Sequence, residues 1–463
     1  MEYDKSRRSF IGKVSAGTIA YMAAYTMPVF ARTTNDPDTL AILGGTPVRD
    51  RMKWPEWPYR NQQIIDNLTE TTNSGIWSRV DSPHGRVASW EDDFKALIGT
   101  NYCVATGSGT QAISTCMFAL GIGPGDEVIT SPYTDMGTVS AILTCQALPV
   151  FADLDPDTYQ LDPKEVELKI TSRTKAILPV HILGAPCDMG SIMAIAKRHG
   201  LFVVEDAAQA HLATFRGQHV GTIGNLGCFS FQASKQIPCG EGGAVAGNDE
   251  KLMDTVYTVM NHGTARTAKK DWKGRVLGEH VTIGPKYRMN EFQAAVLQGQ
   301  LSTIRKRFDK RMENGSYLTG LLKGFPGLTV QKKYEGTDSV AHYLFGMRYN
   351  KEYFDNIPRD LFLKAINAEG VGLTGYISNG LHREPWVDNI MERKVYNTMI
   401  GKQRMKEWRE SMRNFPMCDK VCAEMAGLYA VGTLLGTKRD MDTIAEAVMK
   451  VYKNRDKLSK VKI

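Results

Sequence analysis

Asp206, Ser230 and Lys235 are of the types that could share one reaction, and they lie in a single stretch, residues 205–243. The acid follows the short apolar run Leu201-Phe202-Val203-Val204, which reads as a buried strand. Asp206 then falls at a strand's C-terminal end, where open α/β sheets place ligands. Phe229-Ser230-Phe231 reads as a second short strand, with Lys235 in the loop beyond it. A carboxylate and a lysine delivered by two neighbouring strand ends suit pyridoxal phosphate. That cofactor needs a lysine for its Schiff base and an acid opposite its ring nitrogen.

Further residues would complete such a site. Residues 107–111, Gly-Ser-Gly-Thr-Gln, form a Gly-rich turn between a short strand and a helix over 112–120. Backbone N–H groups at Gly109, the hydroxyls of Ser108 and Thr110, and the helix dipole would hold a phosphate. Turns of this kind also occur with no ligand. Ser230 would add a third hydroxyl. Ala208 is small enough for a ring to lie against, and Gln209 could reach the ring's phenolic oxygen. Lys235, once released, would serve as general base.

The elements that must position these residues alternate. Strands are expected over 102–105, 127–131, 148–152, 176–180 and 201–204, with helices over 112–120, 163 onward and 191–199. Residues 132–138 read as a loop leading into a helix that runs through Cys145. This rhythm predicts an α/β fold with a mostly parallel sheet covered on both faces. A helix over 290–307 ends the large domain, which spans 61–307. Residues 262–287 are polar and aperiodic and read as a long functional loop. Residues 308–463 read as a smaller α+β domain, and 32–60, rich in Pro, as an extended N-terminal arm.

Residues 1–31 carry Ser6-Arg7-Arg8-Ser9-Phe10-Ile11-Gly12-Lys13, a twin-arginine pattern, then an apolar run and the small-x-small site Val29-Phe30-Ala31. They read as an export signal cleaved after Ala31, which predicts a periplasmic or otherwise extracytoplasmic enzyme, or a cytoplasmic one if the signal is unused. The run is short and broken by Pro28, so a spanning anchor is not expected. The formal net charge is +7 in 463 residues, with no basic patch interleaved with aromatics, which gives no reason to expect nucleic-acid binding. Eight scattered cysteines lack zinc spacing. They are expected as free thiols, with no metal site.

The same residues resemble the DegT/DnrJ/StrS family of pyridoxal-phosphate-dependent aminotransferases. The matching stretches are 107–111, 121–129, 179–188, 205–210, 229–235, 240–243, 287–301 and 359–370. Residues 40–47 and 287–293 resemble the branch with cyclitol (scyllo-inosose) aminotransferases and aminohydroxybenzoate synthase. The resemblance implies the aspartate-aminotransferase-like fold (PLP fold type I) and a homodimer with its sites at the subunit interface. It implies glutamate or glutamine as donor and a keto-sugar or keto-cyclitol as acceptor. It also puts Lys286 where a residue reaches the neighbouring subunit's phosphate, which its charge could meet, gives His181 either a structural or a substrate role, and sets His382 near the substrate-facing loops. Three places depart from the family pattern. Asp135 stands where an aromatic residue usually covers the cofactor ring, Lys286 where Asn is common, and Tyr429-Ala430-Val431-Gly432-Thr433 where a Leu-Pro-His-like segment is usual. Lys235 argues against the family's dehydratases, which carry His there. An aminohydroxybenzoate-synthase-like lyase, and an exported protein that keeps the fold for binding or sensing, stay open.

Overall fold

The computed structural model describes residues 37–265 and 279–460, with two short strands, Lys269–Lys270 and Val276–Leu277, between them. The export signal expected over 1–31 lies outside the described residues. A seven-stranded sheet forms the centre. Its strands are β1 (Tyr102–Thr106), β2 (Glu127–Thr130), β3 (Leu148–Phe151), β4 (Thr174–Ile177), β5 (Phe202–Asp206), then β8 (Leu226–Ser230) and β9 (Gly243–Gly247). Between β5 and β8 sits a small hairpin of β6 (Thr214–Phe215) and β7 (Gln218–His219), which pairs with Thr337–Ser339. The order across the large sheet is β1-β9-β8-β5-β4-β2-β3. Every neighbouring pair from β8 to β3 is parallel, and β9 runs antiparallel to both of its neighbours.

Period-2 alternation explains why both faces are covered. Ala105, Ile129, Ile177 and Val203 enter one core, while Val104, Val128, Ala176 and Val204 enter the other. Fully burying each such Val or Ile contributes about 1.5–3 kcal/mol. The flanking helices are α1 (Gln62–Ser74), α2 (Arg86–Ile98), α3 (Gly109–Ala119), α4 (Met136–Thr144), α5 (Pro163–Leu168), α6 (Met189–His199) and α7 (Glu250–Met260).

Three differences from the sequence expectations bear on the site. Helix α3 begins at Gly109, so the Gly-rich turn is itself the first turn of the helix. Helix α4 begins at Met136, because Asp135 caps it by accepting from the N–H of Gly137 at 2.8 Å. The helix expected over 290–307 is two, α8 (Glu291–Leu301) and α9 (Ile304–Leu322), broken at Ser302-Thr303. Residue 307 therefore falls inside α9, which runs on into the C-terminal region.

That region holds an antiparallel sheet of Leu328–Val330, Leu344–Tyr349, Met425–Tyr429 and Leu373–Thr374, packed under helices Arg359–Ala368 and Lys438–Lys453. The arm bonds to it. The N–H groups of Ala41 and Val48 donate to Glu369, and Arg49 pairs with Asp440 at 3.0 Å. A helical segment, residues 386–424, folds back onto the large sheet. There Trp408 Nε1 donates to the carbonyl of Pro149 at 2.7 Å and the Tyr396 hydroxyl to that of Leu143 at 3.2 Å. Among the described residues no helix is long and apolar enough to cross a membrane. All eight cysteines are free thiols.

Candidate active site

Asp206 is the last residue of β5 and is buried. Its carboxylate accepts from two neutral donors, Thr138 Oγ1 to Oδ2 at 2.8 Å and the N–H of Ala208 to Oδ1 at 3.2 Å. Burial raises the carboxyl above its ordinary range. The two donors and the charge of Lys235 pull it partly back. Strand β8, which leads to Lys235, pairs directly with β5, which ends at Asp206.

Strand β8 ends at Ser230, and the chain then turns tightly. Gln232 Oε1 accepts from both the N–H and the hydroxyl of Ser234 at 2.7 Å, and the N–H of Lys235 donates to the carbonyl of Gln232 at 2.9 Å. The turn leaves Lys235 half-buried with Nζ 4.2 Å from the centroid of the Tyr343 ring. The hydroxyls of Ser234 and Tyr343 meet at 3.0 Å.

The Gly-rich turn closes on Ser230 from the other side. Ser108 caps α3 by accepting from the N–H of Gln111 at 3.2 Å, which leaves its own hydroxyl proton to give. A Cβ on Gly109 would stand 2.7 Å from Ser230 Cβ and 3.2 Å from its Oγ. Only glycine lets the turn approach so closely. Thr110 Oγ1 borders Gly137 at the start of α4, 2.7 Å from where a Cβ on Gly137 would be. Ser108, Gly109, Thr110, Ser230, Asp206 and Lys235 therefore gather at one end of the sheet.

The other expected residues lie in different surroundings. Ala208 is half-buried beside Asp206. Gln209 is buried and largely committed. Its Oε1 accepts from the N–H of Leu183 at 2.8 Å, and its Nε2 donates to the Tyr376 hydroxyl at 2.7 Å, leaving one amide hydrogen. His181 is fully buried. Its Nδ1 accepts from the N–H of Cys187 at 3.0 Å, so Nε2 carries the proton and donates to Glu205 at 3.0 Å. His181 therefore has no ring nitrogen left for a substrate, in keeping with the structural one of its two expected roles. His382 is buried against Phe415, with Nε2 3.2 Å from Asp419 but off the hydrogen-bonding direction. Lys286 is exposed on an extended segment bridged to Asn261, and the carbonyl of the next residue, Tyr287, accepts from the N–H of Gly107 at 2.8 Å. Asp135 is exposed at the start of α4, where its carboxylate serves as the cap.

Three residues at the site were not singled out from sequence. Thr138 bonds Asp206, Tyr343 lies under Lys235, and Tyr376 is held by Gln209. Thr138 follows Asp135 by three residues, so recognising that acid as an N-cap would have placed Thr138 in the first helical turn.

Residues 58–424 match the DegT/DnrJ/EryC1/StrS aminotransferase family. The chain belongs to this family. It is 33% identical over 428 residues to a putative L-glutamine:3-amino-2,3-dideoxy-scyllo-inosose aminotransferase of Streptoalloteichus tenebrarius, covering 90% of this chain and 99% of the relative. It is 32% identical over 429 residues to the L-glutamine:scyllo-inosose aminotransferase of Streptomyces griseus, covering 91% and 99%. Among solved structures it resembles 3-amino-5-hydroxybenzoic acid synthase, with TM-score 0.73, 27% identity and coverage of 86% and 99%. It also resembles an aminotransferase from Psychrobacter cryohalolentis, with TM-score 0.76, 27% identity and coverage of 87% and 100%. The fold is thus PLP fold type I, and a DegT/DnrJ/EryC1/StrS aminotransferase is an enzyme that transfers amino groups.

Proposed function

We propose that this enzyme binds pyridoxal phosphate and moves an amino group from glutamine or glutamate to a keto-cyclitol or keto-sugar, working as a homodimer. The observation that carries the reading is that the neighbouring strands β5 and β8 bring Asp206 and the Lys235 turn to one sheet end, where Ser108, Gly109 and Ser230 also meet. Names of relatives that use L-glutamine and inososes support the substrates.

The residues fit the cofactor. Asp206 is a buried carboxylate bonded only to neutral donors, and a protonated ring nitrogen is the cation it lacks. Gly109 packs so closely on Ser230 that a Cβ has no room, which brings the Ser230 hydroxyl and the first N–H groups of α3 to one place, as a phosphate site needs. When bound, pyridoxal phosphate supplies an electron sink beside the carbon whose C–N bond is made or broken. Asp206 would hold a proton at the ring nitrogen. Ser108, Thr110 and Ser230 would donate hydroxyl protons to the phosphate, with the first N–H groups of α3. Lys235 Nζ would hold the aldehyde carbon. Once freed, it would take the proton from the donor's α-carbon and return it on the acceptor side. Tyr343 would steady the ammonium through its ring face in the meantime.

The test is spectroscopic. Protein reconstituted with pyridoxal phosphate should show a band near the visible edge that bleaches with L-glutamine or L-glutamate and returns with scyllo-inosose. Lys235→Ala should abolish the band, and an unchanged band in that variant refutes the reading. Bleaching that no ketone reverses points instead to the aromatising chemistry of the aminohydroxybenzoate-synthase relative, and binding without bleaching to a sensing role. We also propose export by the twin-arginine route. Cell fractionation with Arg7→Lys and Arg8→Lys together should move the enzyme to the cytoplasm.

A further inference from the structure

Tyr376 has φ +50°, in the left-handed region that a bulky side chain rarely adopts. Such a conformation persists where the surroundings over-determine it, and these cluster at ligand clamps. The surroundings here are a chain of buried amides. Gln209 Nε2 donates to the Tyr376 hydroxyl at 2.7 Å. Gln209 is fixed in turn, because its Oε1 accepts from Leu183 and its main-chain carbonyl accepts from Gln236 Nε2 at 2.6 Å. Gln236 directly follows Lys235, is fully buried, and meets His211 Nδ1 through Oε1 at 2.9 Å. On the other side the Tyr376 ring lies edge-on to Tyr343, with centroids 6.0 Å apart, and Tyr343 carries Lys235 Nζ over its face. Both routes lead from Tyr376 back to Lys235.

The direction of the Gln209 bond settles the phenol's role. The amide donates, so the phenol oxygen accepts and its own O–H points elsewhere. Burial, with Tyr343, Asp135 and Tyr133 nearby, pushes the phenol well above its ordinary range, so it keeps that proton at any working pH. The Tyr343 ring packs edge-on to it, and the exposed Asp135 carboxylate acts on it electrostatically. Hydroxyls that donate and a carboxylate that accepts suit a ketone carrying many hydroxyl groups.

We propose that Tyr376 is a specificity-determining residue for the acceptor. Its phenolic O–H donates to an oxygen of the incoming polyhydroxy ketone, and Gln209 is the positioning residue that holds it there. The inference rests on the aminotransferase reading above.

The two half-reactions, followed separately on the holoenzyme by its absorbance, test it. Tyr376→Phe keeps the ring and removes only the hydroxyl. Its half-reaction with L-glutamine should run as in the wild type, while the KM for scyllo-inosose rises about tenfold, the loss of one hydrogen bond. Gln209→Leu should raise the same KM, and the double variant should be no worse than the worse single one, since both remove one interaction. Equal slowing of both half-reactions in Tyr376→Phe, or no change in either, overturns the inference. Failure of the wild type to bleach with either donor overturns the underlying reading, and this inference with it.

Discussion

Thr138 donates to Asp206 across 2.8 Å, from the first turn of α4 to the end of β5, and this bond sets how the buried acid is held. Burial raises the Asp206 carboxyl above its unfolded value of 3.8. A carboxyl raised in this way favours the folded state below the unfolded value, and that contribution is lost as pH rises through the folded value. At neutral pH the ionised acid therefore destabilises the cofactor-free protein. Asp206→Asn should raise the melting temperature of that form at pH 7, with the gain shrinking as pH falls toward 4. Asn can still accept from Ala208 and donate to Thr138. Transamination should fall by about 10²–10³-fold, because the ring nitrogen loses its counter-charge. A melting temperature that drops at pH 7 contradicts the argument.

His181 and Glu205 form a buried pair whose role is structural. Glu205 accepts from His181 and from the N–H groups of Gly221, Ile223 and Gly224, the last two at 2.7 Å. His181→Leu leaves the N–H of Cys187 without its partner and takes one donor from Glu205. The cost should be about 1–3 kcal/mol in urea unfolding. KM for either substrate should not move. A change in KM without a change in stability returns His181 to the substrate side.

Much of this arrangement was legible in the sequence, for local reasons. An apolar β-branched run before Asp206 and a short aromatic strand around Ser230 placed both residues at strand ends. What was missed depends on caps and on distant contacts. Ser108 and Asp135 each cap a helix through a side chain, and reading them as loop residues moved both helix starts too late. The break at Ser302-Thr303 carries no Pro or Gly, and Leu297, Leu301 and Ile304 keep helical spacing across it. Tyr376 meets Gln209 across 167 residues and Thr138 meets Asp206 across 68, and no local pattern records such pairings.

Gly109→Ala tests the cradle. The new Cβ would stand 2.7 Å from Ser230 Cβ, so the turn must open. Overpacking of this kind costs about 1–3 kcal/mol. Borne by the bound state, it should weaken pyridoxal phosphate binding about tenfold or more, measured by fluorescence titration. Gly320→Ala in α9 is the contrast. Nothing lies within 4 Å of its Cβ position, and the variant should gain about 0.5–1 kcal/mol from helix propensity. Equal affinity in Gly109→Ala and wild type removes the turn from the binding site.

Trp408 links the C-terminal helical segment to the edge strand of the large sheet. It is fully buried, donates to Pro149 in β3, and shares a core with Phe151 and with Val139 of α4. The same helix carries Thr138 to Asp206, and its carbonyl at Leu143 accepts from Tyr396. Trp408→Ala should cost about 3–5 kcal/mol in urea unfolding, as large-to-small changes in a packed core do. Trp408→Phe keeps most of the ring and should cost less, the N–H to Pro149 being its main loss. Because α4 rests on this core, kcat in Trp408→Ala should fall further than the unfolded fraction explains, and Trp408→Phe should restore it. A loss below about 1 kcal/mol in the alanine variant would mean that the segment only covers the sheet and does not brace the helix that holds Asp206.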